Sequence, residues 1–352
     1  MNTPRVFTLA FLAITIAVTL ACGGGSNSNP NPKPNAADVY AAGFEMNDAG
    51  HTVAKYWKNG APVVLTTGTN GSYAMSIAVS GSDVYVAGIE GNGTNDVAKY
   101  WKNGVPVELT DGTHPGFVNS IFVDGSDVYV AGGETEPGVT VGKYWKNGVP
   151  DVLENGEMAQ SILVSGTDVY VAGWRHKTTQ IDPTHFVVNP VAMYWRNGTP
   201  TELTDGLNPA FAFSISVSGT DVYVGGYACQ TMDPNCAIAT YWKNGTPVPL
   251  TTQTNSDVVS IFASGTDVYA TGNQSNNLAE FWKNGVLTAL TSGSTTSGAN
   301  QMVVSGSDVY IGGGEIGNSG QGIAGYWKNG AFVPVTDGTH FASAFGLAVV
   351  TH

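Results

Sequence analysis

Between Gly173 and Val191 the chain carries Trp174-Arg175-His176-Lys177-Thr178-Thr179-Gln180-Ile181-Asp182-Pro183-Thr184-His185-Phe186. An indole, a guanidinium, an ammonium and two imidazoles thus fall in one short stretch. An aromatic ring beside Arg and His stacks on a sugar or anchors a protein partner, because it offers apolar area and a π face next to charged donors. Trp174 is the only tryptophan outside a repeated element, and Arg175 and Lys177 are the only two cations in the variable loops. Trp174, Arg175, His176, Lys177 and His185 therefore form the candidate ligand site, with Tyr227 on the neighbouring loop as its other wall. The alternative is a loop that folds Trp174 onto its own sheet.

Acid–base chemistry has fewer candidates. Glu134 and Glu136, Glu45 and Asp48, and Asp96 lie in variable loops, and glycoside hydrolysis needs two carboxyls at a defined separation. With the loop histidines they define the alternative reading, a polysaccharide hydrolase or lyase; no single catalytic residue is assigned. His51, His114, His176, His185 and His340 share no metal-ligand spacing. Asp111-Gly112-Thr113 and Asp337-Gly338-Thr339 are turn pieces, since a calcium loop needs several oxygen ligands in order. No metal or cofactor is expected. Cys229 and Cys236 bracket turn formers and lack further Cys or His ligands nearby, so they read as a local disulfide, which persists in an exported protein.

The N-terminus supplies the export signal. Arg5 precedes an apolar run from Val6 to Ala21, too short to span a bilayer, and then comes Leu20-Ala21-Cys22-Gly23. This resembles the lipobox of bacterial lipoproteins, although Thr19 stands where such boxes usually carry Leu. The resemblance implies a signal peptide over residues 1–21, a diacylated Cys22 as mature N-terminus, and a Gly/Ser/Asn/Pro tether over 22–35. An ordinary cleaved secretory signal is the alternative. The expected location is the bacterial cell envelope, with lipid holding the protein to a membrane.

From residue 36 to 352 one unit recurs seven times at intervals of 40 to 53 residues: Ser-Ile-x-Val, a Ser-Gly-Ser/Thr turn, Asp-Val-Tyr, a loop, Tyr-Trp-Lys-Asn-Gly, and Pro-Val-x-Leu. Four short β-rich runs per unit read as a four-stranded meander. Asn-Gly fits a two-residue hairpin with positive φ at both positions. Pro62, Pro106, Pro150, Pro200 and Pro247 follow that turn and mark strand four as an outer edge, because proline has no N–H to donate. Ser-Ile-x-Val is then the innermost strand. The first unit, from Asp38, lacks it, while the chain ends on a spare copy over Ala344–Val350. The fold class follows: all-β, a seven-bladed β-propeller closed by one C-terminal strand pairing with three N-terminal strands.

The Trp at the end of strand three resembles WD-repeat and kelch-like propellers. Lys or Arg replaces the Asp of the WD pair and the Gly-His pair is missing, so the resemblance implies the ring and not the internal hydrogen-bond network. Trp57, Trp101, Trp145, Trp195, Trp242, Trp282 and Trp327 are expected to pack between blades. The Asp of each Asp-Val-Tyr is expected to hold its Ser-Gly-Ser turn by local hydrogen bonds. Loops two-to-three and four-to-one share one variable face, where function belongs.

The formal charge of −13 excludes one partner class once its cations are located. Ten of the fourteen Lys and Arg sit in the repeated Lys-Tyr-Trp-Lys element, leaving no basic stripe for a phosphate backbone. Nucleic acid is not an expected partner. The reading is a non-enzymatic binding scaffold for a glycan, peptide or protein on the variable face.

Overall fold

The computed structural model describes residues 37–352 apart from 234, 275–277, 292–295 and 317–319. The signal, Cys22 and the tether fall outside the described residues. Among the described residues twenty-eight strands, β1 to β28 in chain order, form seven four-stranded sheets. Blade one combines β1 (Ala37–Met46), β2 (Thr52–Lys58) and β3 (Ala61–Val64) with the C-terminal β28 (Ala342–Thr351). Blades two to seven are consecutive meanders over residues 72–108, 116–152, 158–202, 210–249, 260–289 and 297–334. The seventh sheet is completed by the chain's last strand, as the orphan units at its two ends require.

Each blade turns on local chemistry. The hairpin asparagines lie at φ 50 to 52° and the following glycines at 77 to 85°, the left-handed pair that matches strand twist. Inner strands bulge, and the bulge presses a carbonyl onto strand two: a Cβ on Gly173 would meet the Met158 oxygen at 1.8 Å. Only glycine fits there.

The Asp of Asp-Val-Tyr does something other than expected. Asp83 does not brace its own Ser-Gly-Ser turn; it reaches across to the Asn-Gly turn, where Asn103 Nδ2 donates to its Oδ1 at 2.8 Å and Lys102 Nζ pairs with its Oδ2 at 2.9 Å. Asn103 Oδ1 in turn accepts from Val84 N, and Lys102 lies over the Tyr85 ring at 5.1 Å. The same clamp joins Asp38 to Asn59 and Asp168 to Asn197, and so on around the ring. Antiparallel pairing puts both short turns on one face, within reach of each other. That proximity redirects the carboxylate.

The seven repeat tryptophans are at most 2% exposed, and each packs on the blade before its own. Trp145 of blade three, for instance, meets Tyr85, Ala87 and Ala98 of blade two. Inner-strand serines tie blades together: Ile121 N donates to Ser76 Oγ at 3.2 Å and Met302 N to Ser260 Oγ at 3.1 Å. The Ser of Ser-Ile-x-Val is thus a stitch between blades.

Candidate ligand-binding site

The insertion after Gly173 is a hairpin, not a loop. β13 (Asp168–Asp182) and β14 (His185–Arg196) continue strands two and three of blade four, in one register from Tyr170↔Arg196 to Gln180↔Phe186 and, after a shift, to Asp182↔His185. Its β-branched and extended residues prolong the ladder, and Asp182 Oδ1 closes the tip by accepting from Thr184 N and His185 N. Asn189, buried at the root, donates to the Gly206 and Leu207 carbonyls.

Strand alternation then divides the candidate residues between two sheet faces. Trp174 and His176 share one face, with ring centroids 5.4 Å apart. Trp174 does not fold onto its own blade; it meets Phe211 of blade five edge-on at 4.9 Å. Phe211 contacts Tyr227 at 5.0 Å, and Phe213 lies 5.9 Å from Tyr227. Trp174, Phe211, Phe213 and Tyr227, all half-buried, form one aromatic cluster on the variable face.

Arg175 and Lys177 point to the other side. Both bind Glu202, each at 2.7 Å. Burial disfavours the charge on Glu202, yet Lys177 and Arg175 outweigh it and hold that carboxyl below the ordinary glutamate range. The cations are therefore not available beside the indole. His176 Nδ1 lies 2.7 Å from Glu157 Oε2, and His185, at the tip, 2.8 Å from Asp182 Oδ2. Cys229 and Cys236 are disulfide-bonded with Cα atoms 4.9 Å apart, on the blade that carries Tyr227.

Most acids named for catalysis also have partners. Glu45 pairs with Lys55 at 2.6 Å, Glu134 with Lys143, and Asp48 with His340 at 2.9 Å. Repeat lysines occupy the first two. Between blades one and two, a concavity of about 680 Å³ is lined by His51, Asn70, Tyr73, Thr94, Asn95 and Asp96 among others. It is an open hollow of mixed polar and apolar lining on the same variable face.

Sequence reasoning missed two carboxyls at the seam of blades five and six. Glu280, 7% exposed, lies on β22 (Leu278–Lys283) where blades one to three carry Lys55, Lys99 and Lys143. Asp257 precedes β20 (Ser260–Ser264), at the inner-strand position of Tyr73, Phe117 and Phe211, and accepts from Asn273 N at 2.9 Å. Burial pushes the carboxyls of Asp257 and Glu280 up, and Asp257's charge adds to the rise at Glu280. Burial and then Asp257 likewise raise the Tyr227 phenol. The legible signal was Glu280-Phe281-Trp282, an acid in place of the repeat's lysine.

Solved structures share this fold. The β-propeller domain of the Trilobed protease from Pyrococcus furiosus aligns at a TM-score of 0.52 and 10% identity, over 87% of this chain and 96% of that one. A Mycobacterium tuberculosis puromycin-hydrolyzing peptidase aligns at 0.52 and 12%, over 84% of this chain and 53% of its own. The tricorn protease aligns at 0.51 and 10%, over 90% of this chain and 36% of its own. This chain thus spans about a third of the tricorn protease and half of the peptidase. No protein-family model and no curated protein matches it. The ring is a seven-bladed propeller resembling peptidase propeller domains. The P. furiosus propeller is described as having an open velcro topology, whereas here β28 closes the circle through β1.

Proposed function

We propose that this chain is a lipid-anchored protein of the bacterial cell envelope that binds a glycan, peptide or protein ligand on its variable face, without catalysis. The observation that carries the reading is the half-buried cluster of Trp174, Phe211, Phe213 and Tyr227 beside a projecting hairpin. Four rings on one face bring a large apolar area together at the surface. The tether precedes β1, which begins on the short-turn face, so lipid on Cys22 would leave the cluster pointing away from the bilayer. The likeness to protease and peptidase propellers, at 10–12% identity, brings the fold and no activity. The hydrolase or lyase reading has less support, because Glu45 and Glu134 are neutralised by Lys55 and Lys143.

The test is a thermal-shift and array screen of the purified protein against glycans and peptides, repeated with Trp174→Ala and Tyr227→Ala together. Retention of a hit is expected to fall at least tenfold while the melting point of the unliganded protein changes little. Undiminished retention would remove the cluster as the site. Products released from a polysaccharide panel, and lost on Glu136→Gln, would favour the hydrolase. Metabolic labelling with a fatty acid should mark the wild type and not Cys22→Ser.

A further inference from the structure

Blades one to three place a lysine from strand three against a glutamate from strand two: Lys55 with Glu45, Lys99 with Glu90, Lys143 with Glu134. Blade six inverts that chemistry. Glu280 replaces the lysine and Gln274 replaces the glutamate, so a carboxylate stands where an ammonium stood and no cation among the described residues pairs with it. Glu280 and Trp282 lie on one face of β22, and Trp282 packs against Tyr223 and Ala239 of blade five. Tyr227 lies on the Tyr223 face, and both its phenol and the Glu280 carboxyl feel the charge of Asp257. Asp257 sits at the same seam from the inner strand.

Among the described residues no hydrogen bond or ion pair reaches the Glu280 carboxylate, although the residue is only 7% exposed. A buried, unpartnered carboxylate is costly, and chains normally remove such groups or pair them. Asp257 has one backbone donor and remains partly accessible. We propose that the seam of blades five and six binds a primary ammonium group, received between Glu280 and Asp257 with the Tyr227 ring as one wall. The inference rests on the variable face being the ligand face. A metal ion fits less well: two carboxylates fall short of the six to eight oxygens calcium takes, and no group of three His, Cys, Asp or Glu converges among the described residues. An aromatic wall, by contrast, suits an organic cation. Burial raises both carboxyls, and an entering ammonium would restore the ionised forms.

The ammonium has two natural carriers, a lysine side chain and an amino sugar. Calorimetric titration of the purified protein with Nα-acetyl-lysinamide and with glucosamine separates them, with uncharged Nα-acetyl-norleucinamide as control. At least one amine is expected to saturate at millimolar concentration while the control does not. Glu280→Gln should weaken that binding at least tenfold. Glu280→Lys with Gln274→Glu, which rebuilds the pair of blades one to three, should abolish it without lowering the melting point. Equal binding of control and amine, binding indifferent to Glu280→Gln, or calcium binding in preference to both amines would overturn the assignment. A protein that ignores both amines yet holds a Trp174-dependent ligand sinks this inference alone. Amine binding with no Trp174-dependent ligand sinks the aromatic site and leaves the seam.

Discussion

Asn103 has three duties: it adopts φ 52°, its Oδ1 accepts from Val84 N at 2.9 Å, and its Nδ2 donates to Asp83. Asn103→Gly keeps the backbone and loses both hydrogen bonds, so about 1 kcal/mol of stability should go. Asn103→Ala also strains a left-handed position and should cost about 2 kcal/mol. Denaturant titration separates the two; equal losses would show that the backbone position carries no strain. The clamps also set the acid limb. Hydrogen bonds from Lys58 and then Asn59 hold Asp38 at about 2, and its six counterparts are lowered too. A folded carboxyl below its unfolded value of about 3.9 contributes stability that is complete above that pH and is lost as pH falls toward 2. Glu280 has the opposite sign: its raised folded value makes stability fall as pH rises out of the ordinary carboxylate range. Glu280→Gln should therefore melt above wild type at pH 7 and together with it at pH 3. An equal offset at both would mean the side chain's charge is not what the seam resists.

At the level of strands, identical positions in different blades are not energetically identical. Trp195 Nε1 donates to Glu154 O at 2.8 Å, whereas Trp242 Nε1 is buried with no partner among the described residues. Replacing each by Phe removes similar area, but only the first breaks a hydrogen bond. Trp195→Phe should cost about 1 kcal/mol more than Trp242→Phe by thermal or denaturant melting; the reverse order would refute the pairing. The blade 4 hairpin makes a second case. Replacing 179–187 by Asn-Gly closes a two-residue turn on the Thr178↔Val188 pair and keeps the Asn189 root and the blade core, so melting should be nearly unchanged while ligand retention falls. What was legible in the sequence follows the same division. Asn-Gly turns, edge prolines and the displaced inner strand are local chemistry, so the ring could be read from them. Trp174 stood out as the tryptophan outside the repeat, and Tyr227 as its neighbour on the next loop. Their relation to Arg175 could not be read, because it depends on whether the insertion leaves the strand or prolongs it, and prolongation sends neighbours to opposite faces. Phe211 and Asp257 were hidden for another reason: they occupy ordinary strand positions, and their meaning comes from the blade alongside.

For the whole molecule, closure rests on a single strand. β28 pairs with β1 from Ala37↔Thr351 to Glu45↔Ala342, and Ala342, Ala344 and Leu347 are buried with Trp57 and Tyr310. Asn300 Nδ2 donates to Ala344 O at 2.8 Å and Gln301 Oε1 accepts from Leu347 N at 3.0 Å, so β28 also stitches blade seven to blade one. Removing it would leave β1 an unpaired edge and strip the seams on both sides, which an open sheet answers by aggregating or pairing elsewhere. A chain ending at His340 is therefore expected to melt lower and less cooperatively than wild type, and a synthetic peptide spanning 341–352 should restore much of the loss. Deleting only Thr351 and His352 should change little, because both are exposed and His352 contributes one surface contact to Asp38 at 3.2 Å. If the 341–352 deletion melted as the wild type does, the ring would be held by its seams rather than by its closing strand. The variable face would then owe its geometry to blade packing alone, and ligand binding at the Trp174 cluster should survive the deletion; with closure by β28, binding and melting should fall together.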